Sequence, residues 1–525
     1  MQIAGRLIDD MIRNRTIIRA LQLTVLASAV SCATLVHASV EDAESAVKAG
    51  RYQDAIVELQ RLTATGDAHA KADLGWMYLV GLGVPRELTK GRQLVEQAAA
   101  TGNSDAQVIL ASTLLLVDPR PESYAKAAQI LRTYAEQGNA QAQAQLGQIL
   151  TTGIGVPRDL AQAMRWISSA ANQHNEFGVY LLGTLYDSGI GVPRDGSRAL
   201  ALYREAANTG LSAAEFAIGN AYEKGRAVSI DYPEAMAWYR RAANVKFALA
   251  MSAIGRLYAN GLGVPVDAAL AEDWLNKGAA AGDASALIDL GTLYALGKGG
   301  GKLDGERAAF FYRKAANAGL PAGWNALGWM YLYGNGVAKD ATSAFGWYLK
   351  AARAGFAPAQ VMVARLYLSG RGVTKDGETG RGWMLRAAGA GDTDAQTWLG
   401  RFYLWGTPPF ERNETEGLRW LTMAARAGNT DGQFWLADAY VYGRNVTADP
   451  VRGYAWISIA ARRGNESAKS TLDAIKFMLS HDQIERGAAA AAQWQIDQDV
   501  AVLPEQRGGM ATRQFNLNAP FAPGD

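Results

Sequence analysis

A residue pair, Leu-Gly or a close equivalent, returns along this chain with a nearly fixed step. It stands at Leu74-Gly75, Leu110-Ala111, Leu146-Gly147, Leu182-Gly183, Ile218-Gly219 and Ile254-Gly255. It continues at Leu290-Gly291, Leu327-Gly328, Val363-Ala364, Leu399-Gly400 and Leu436-Ala437. The step is 36 residues, and 37 before Leu327 and before Leu436. Such a period means one small unit copied and stacked, each copy covering the apolar face of its neighbour. It also resolves a problem of size. A single core stops growing at roughly 250–300 residues, and this chain has 525, whereas a repeat array adds core as it lengthens.

Each copy reads as two helices joined by a tight turn. In Leu-Gly-x-x-Tyr the apolar residue and the aromatic are four apart and share a helical face. Tyr78, Tyr186, Tyr222, Tyr258, Tyr294, Tyr331, Tyr367, Tyr403 and Tyr440 fill the aromatic place. The Gly between them lets a second helix approach closely, offsetting a propensity cost of about 1 kcal/mol. Gly-x-Gly-Val-Pro follows at 81–85, 153–157, 189–193 and 261–265. There Gly ends the helix in a left-handed conformation and Pro stops its continuation. Asp159, Asp195, Asp267, Asp340 and Asp376 then open second helices, their carboxylates set against free N–H groups and the helix dipole. The second helix carries Trp-x-x-x-Ala-Ala-x-x-Gly, beginning at Trp347, Trp383, Trp420 and Trp456. The Trp is expected to pack across the repeat interface, the Ala pair to admit a close helix, and the Gly to cap the end.

This pattern resembles the Sel1-like repeat, a relative of the tetratricopeptide repeat, over about residues 67–464. The resemblance implies an all-α fold, an α/α superhelical solenoid of about eleven 36-residue helix-pair repeats with capping helices. The organisation expected is a signal peptide at 1–38, an N-terminal capping helix pair at 39–66, the repeat solenoid at 67–464, C-terminal capping helices at 465–500 and a disordered tail at 501–525. Four places depart from the pattern. The second copy lacks its turn glycines and runs Leu114 to Pro121 instead; His174 and Lys246 replace the closing Gly; and the turn Gly406 to Phe410 is rewritten. Altered stacking angles are expected there.

Arg13, Arg15 and Arg19 precede an apolar stretch, Ala20 to Val36, and Val36-His37-Ala38 is a small-residue cleavage signature. The segment reads as a secretory signal peptide, its rival being a short membrane anchor, and Met11 as the true start. Cys32 is the only cysteine, so the mature chain has no disulfide. Lipid attachment at Cys32 is the less favoured reading, because Ala33 to Val36 stay apolar. The sequence therefore predicts a periplasmic chain with no transmembrane segment after signal removal. Charges are balanced, 52 basic against 50 acidic, and no block of one sign suggests nucleic acid.

No enzyme chemistry is expected. The glycine pairs mimic a dinucleotide fingerprint, but no strand precedes them. Gly297 to Lys302 has the outline of a P-loop, yet Leu296 and Leu303 stand where Gly and a hydroxyl residue belong. The three histidines beyond the signal, His69, His174 and His481, lie far apart in repeat order. If a solenoid joins only adjacent units, they cannot share a metal. No metal and no cofactor is predicted.

A candidate binding stripe runs through the positions two and six after the repeated Leu. In the middle copies these are Gln148/Thr152, Thr184/Ser188, Asn220/Lys224 and Arg256/Asn260. Later they become aromatic and basic: Trp329, Tyr333, Arg365, Arg401, Trp405 and Tyr442, with Trp398 and Trp435 one residue before their Leu. Aromatics with Arg are typical interface anchors, and flat rings also stack on sugars. The alternative is that these rings bury themselves between repeats. The family resemblance implies a scaffold for other proteins, here of the cell envelope. The second reading is polysaccharide binding within an exopolysaccharide export complex, since periplasmic scaffolds of alginate-type export resemble this chain in having a signal segment and such repeats.

Overall fold

The computed structural model describes residues 38–118 and 120–494. The signal segment up to His37, Cys32 and the tail at 501–525 lie outside the described residues. Among the described residues there are 26 α-helices and no strand. They are α1 (Ala38–Lys48), α2 (Tyr52–Ala64), α3 (Ala68–Val80), α4 (Leu88–Ala99), α5 (Ser104–Val117), α6 (Pro121–Glu136), α7 (Ala140–Thr152), α8 (Leu160–Asn172), α9 (Glu176–Ser188), α10 (Gly196–Asn208), α11 (Ser212–Lys224), α12 (Tyr232–Asn244) and α13 (Ala248–Asn260). They continue as α14 (Ala268–Ala280), α15 (Ala286–Leu296), α16 (Gly305–Asn317), α17 (Pro321–Tyr333), α18 (Ala341–Arg353), α19 (Ala357–Ser369), α20 (Gly377–Gly389), α21 (Thr393–Trp405), α22 (Glu414–Arg426), α23 (Thr430–Tyr442), α24 (Pro450–Arg462), α25 (Glu466–Lys476) and α26 (His481–Gln493). Helices α3 to α24 make the eleven pairs, α1 and α2 the N-terminal cap, α25 and α26 the closing helices. The chain forms two compact units, one ending at Lys375 and the other starting at Asp376.

Local chemistry places the helix ends. Asp159, Asp195, Asp267 and Asp376 each accept a backbone N–H three residues on, and Asp340 accepts two. Turn glycines 81, 153, 189 and 261 end first helices with φ between 65° and 77°. His174 and Lys246 take the same left-handed conformation at φ 56° and 59°, so the pattern holds at a cost of roughly 1–2 kcal/mol for each side chain. The second pair, without glycines, closes differently. Its Asp118 Oδ2 accepts from Arg120 at 2.5 Å and from Ser123 Oγ at 2.7 Å. In the rewritten turn Gly406 keeps the left-handed helix end at φ 63°, while Phe410 is buried and stacks on Phe402 at 4.9 Å as an apolar plug.

The repeated Gly sits where paired helices touch. A Cβ at Gly219 would stand 2.6 Å from the Tyr239 ring, one at Gly291 2.4 Å from Tyr312, and one at Gly400 2.5 Å from Leu421. The expectation for the second-helix Trp holds in part, and Trp347 packs against a core cluster that spans repeats. Trp420 and Trp456 are buried, but Trp347 and Trp383 are half-buried, and the residue after each, Tyr348 or Met384, fills the core. Tyr348 lies one turn before Ala352 on the inward face. Trp347 is rotated from it by about 100° toward the edge, where Lys350 covers it at 5.6 Å.

Repeats are tied to one another by side-chain amides. Asn139, Asn175, Asn429 and Asn465 cap their helices with Oδ1. Their Nδ2 atoms donate to the preceding pair: Asn175 to Gln141 at 3.1 Å, Asn429 to Asp394 at 2.8 Å, and Asn465 to Asp431 at 2.7 Å.

Contacts in the first unit are not confined to neighbouring pairs, contrary to the premise drawn from the repeat. Tyr52 of the N-terminal cap donates its hydroxyl to the Val245 carbonyl at 2.8 Å, a separation of 193 residues. Lys48 Nζ lies 3.6 Å from Glu176. Between these parts is a cavity of about 190 Å³, with Val47, Tyr52, Glu176, Leu211, Val245 and Phe247 in its wall.

Candidate functional site

The candidate stripe falls into two groups, one in each unit. Trp329, Tyr333 and Arg365 belong to the first, and Trp398, Arg401, Trp405, Trp435 and Tyr442 to the second. None of the eight is buried. In the first unit Trp329 packs against the core, and its ring centroid lies 5.7 Å from that of Tyr333. Tyr333 is 54% exposed at the C-terminal end of α17, with the Arg371 guanidinium 5.8 Å from its ring. Arg365 is exposed on α19.

The second unit builds a denser cluster. Trp398, Arg401 and Trp405 follow one another at three and four residues on α21, so they share one face, and Trp435 comes from α23 of the next pair. The Arg401 guanidinium lies 3.9 Å from the Trp435 ring centroid and 5.0 Å from that of Trp398. Trp405 meets Trp435 edge-on at 5.5 Å and 81° and is 38% exposed. Phe434 holds Trp435 from another side at 5.2 Å. Burial draws Arg401 below the ordinary guanidinium range, partly offset by the charges of Asp431 and Asp438. A partly desolvated cation against indole faces is a strong form of cation–π contact. Two turns further along α23, Tyr442 is half-buried beneath the Arg444 guanidinium at 4.9 Å, and Arg444 Nε lies 3.0 Å from Asp438.

The middle copies carry a different surface. Asn220 lies in the wall of a cavity of about 170 Å³, with Tyr180, Tyr203 and the Asp187–Arg226 ion pair at 3.3 Å. Burial pushes the Tyr180 phenol up to about 12. Gln148 is buried and belongs to the core rather than to a surface. Phe434 and the Asn tethers were not singled out from the sequence. Phe434 stands two residues before its repeated Leu, outside the positions taken for the stripe, and the Asn residues open first helices, whose starts drew no reading.

Comparison with protein families finds the Sel1 repeat at residues 68–103, 140–175, 177–211, 212–245, 248–283, 284–320, 325–356, 357–392, 393–429 and 430–465. The stretch without a match, 104–139, is the copy that lacks turn glycines, and it still folds as the pair α5 and α6. No curated protein matches the chain. Among solved structures it is similar to c5321, a protective antigen of uropathogenic Escherichia coli with an SLR fold. That match has 27% identity, covers 87% of this chain and 99% of that one, and has a TM-score of 0.41. A Sel1 repeat protein from Oxalobacter formigenes matches at 30% identity over 59% of this chain and 90% of that one, TM-score 0.40. Sel1-repeat solenoids are typically non-catalytic scaffolds for protein–protein interaction. No helix among the described residues is long and apolar enough to cross a membrane. Ten matched repeats, set on successive helix pairs in each unit, place this chain in the Sel1-repeat family.

Proposed function

We propose that this chain is a periplasmic scaffold that holds a protein of the cell envelope through the Trp398–Arg401–Trp405–Trp435 cluster. The observation that carries this is Arg401 seated between two indoles beside the exposed edge of Trp405. A sugar ring needs an open aromatic face to stack on. Here the guanidinium lies over the faces of Trp435 and Trp398, leaving indole edges and Arg donors, which is the chemistry of protein interface anchors. The signal segment supports export, and α1 begins at Ala38, so cleavage after Ala38 would leave the first helix whole but for one residue.

The test is capture from periplasmic extract by wild-type and Trp405→Ala chains, with melting measured on both. Capture should weaken by more than about tenfold. A fully buried aromatic truncated to Ala costs about 3–5 kcal/mol, and half-exposed Trp405 should cost well under that. Reduced stability with unchanged capture by the folded fraction would remove the cluster from the binding surface. Retention of polysaccharide instead of protein would favour the exopolysaccharide reading. N-terminal sequencing of the exported protein should begin at Ser39. A lipid-bearing Cys32 start, or an intact N-terminus in the cytoplasm, would overturn the soluble periplasmic assignment.

A further inference from the structure

His69 needs no second histidine to hold a metal. It stands in the first turn of α3, and Asp73 follows four residues later on the same face. Across from them, α1 of the N-terminal cap presents Glu44. Ligand atoms of Glu44, His69 and Asp73 all lie within 4.8 Å of one another. Asp73 is 3% exposed, and neither of its carboxylate oxygens has a hydrogen-bond partner. Leaving such a group ionised, buried and unpaired is costly, so it must hold a proton or meet a compensating charge.

A proton on His69 does not supply it well. Nε2 is 3.6 Å from Asp73 Oδ2 and 3.9 Å from Glu44 Oε1, beyond hydrogen-bonding range. A metal fits these spacings better. Two ligand atoms each about 2.1 Å from one ion are separated by at most about 4.2 Å, so His69 can share an ion with either carboxylate, and the two carboxylates lie within 4.8 Å of each other. The surroundings are anionic. Asp67 and Asp105 add negative charge near Asp73, and the nearest ammonium, Lys48, divides its charge between Glu44 and Glu176.

We propose that Glu44, His69 and Asp73 bind one divalent transition-metal ion that fastens the N-terminal cap to the first repeat. One imidazole and two carboxylates suit Zn²⁺, Mn²⁺ or Fe²⁺ better than Ca²⁺ or Mg²⁺, which favour all-oxygen sets. The ion stabilises the fold by bringing α1 and α3 to one centre, since metal that binds only the folded state adds its binding free energy to folding. Its three residues belong to the first unit, and the aromatic cluster belongs to the second.

The experiment uses untagged, chelator-stripped full-length mature protein, dialysed against Zn²⁺ or Mn²⁺, with bound metal counted by mass spectrometry and melting followed by circular dichroism. Wild type should retain one ion per chain and melt higher with metal than without. His69→Gln and the near-isosteric Glu44→Gln should fold, bind more than about tenfold more weakly, and lose the metal-dependent rise. His174→Gln and His481→Gln should behave as wild type. Equal metal content in wild type, His69→Gln and Glu44→Gln overturns the site, as does a wild type that holds none. Loss that follows His174 or His481 also overturns it.

Discussion

Gly219 lies in the middle of α11 with the Tyr239 ring of α12 pressed on it. Its value is the absence of a side chain. Gly219→Leu is expected to destabilise the protein by roughly 1–3 kcal/mol through overpacking, read from thermal or urea melts. An unchanged melt would place that Gly at the surface and undo the repeat assignment. This position was legible in the sequence because the same small residue returns at the same place in nearly every copy. The partner ring was not, because the conspicuous Trp drew the expectation. Trp347 stands one residue away from the place that packs on Gly328, and Tyr348 fills it; likewise Met384, the residue after Trp383, is the buried one. A one-residue offset turns a helical side chain through a quarter of the circle, and composition alone gives no sign of which way.

Helix ends were the most readable elements, since an Asp at the start of a helix works through bonds to its own next turn. What joins one helix pair to the next was hidden, because an amide that caps locally with its oxygen can use its nitrogen elsewhere. Asn465 does both: Oδ1 accepts from Ala468 N, and Nδ2 donates to Asp431 at 2.7 Å. Asn465→Asp keeps a competent cap, removes the donor, and sets two carboxylates together. It should therefore destabilise the second unit by about 1–2 kcal/mol in urea unfolding, although cap preference alone predicts no change. Equal stability of Asn465→Asp and wild type would mean that the amide nitrogen contributes nothing to stacking. The aromatic cluster was half legible for a related reason. Its residues recur at fixed columns of α21 and α23, but the seating of Arg401 between indoles from two helices depends on how successive pairs lean together.

At the level of the molecule, the repeat announces a chain whose contacts stay local. The two units largely obey that, and the first departs from it at Tyr52. Its hydroxyl reaches Val245, and the Lys246 ammonium lies 6.0 Å from its ring. Tyr52→Phe removes the hydrogen bond while keeping the ring, and should cost about 1 kcal/mol in the melt of the first unit. No change would show the contact to be incidental. No periodicity could have forecast it, because it depends on the sum of small rotations over several stacked pairs. That sum has a genealogical consequence. Arrays of this kind change length by duplication or loss of whole copies, and beyond Val245 such a change leaves the fastening untouched. Between Tyr52 and Val245, one copy more or fewer would carry the acceptor past its donor. The fastening thus acts as a gauge of copy number, and a lineage that keeps it is held to the same count of repeats within that span.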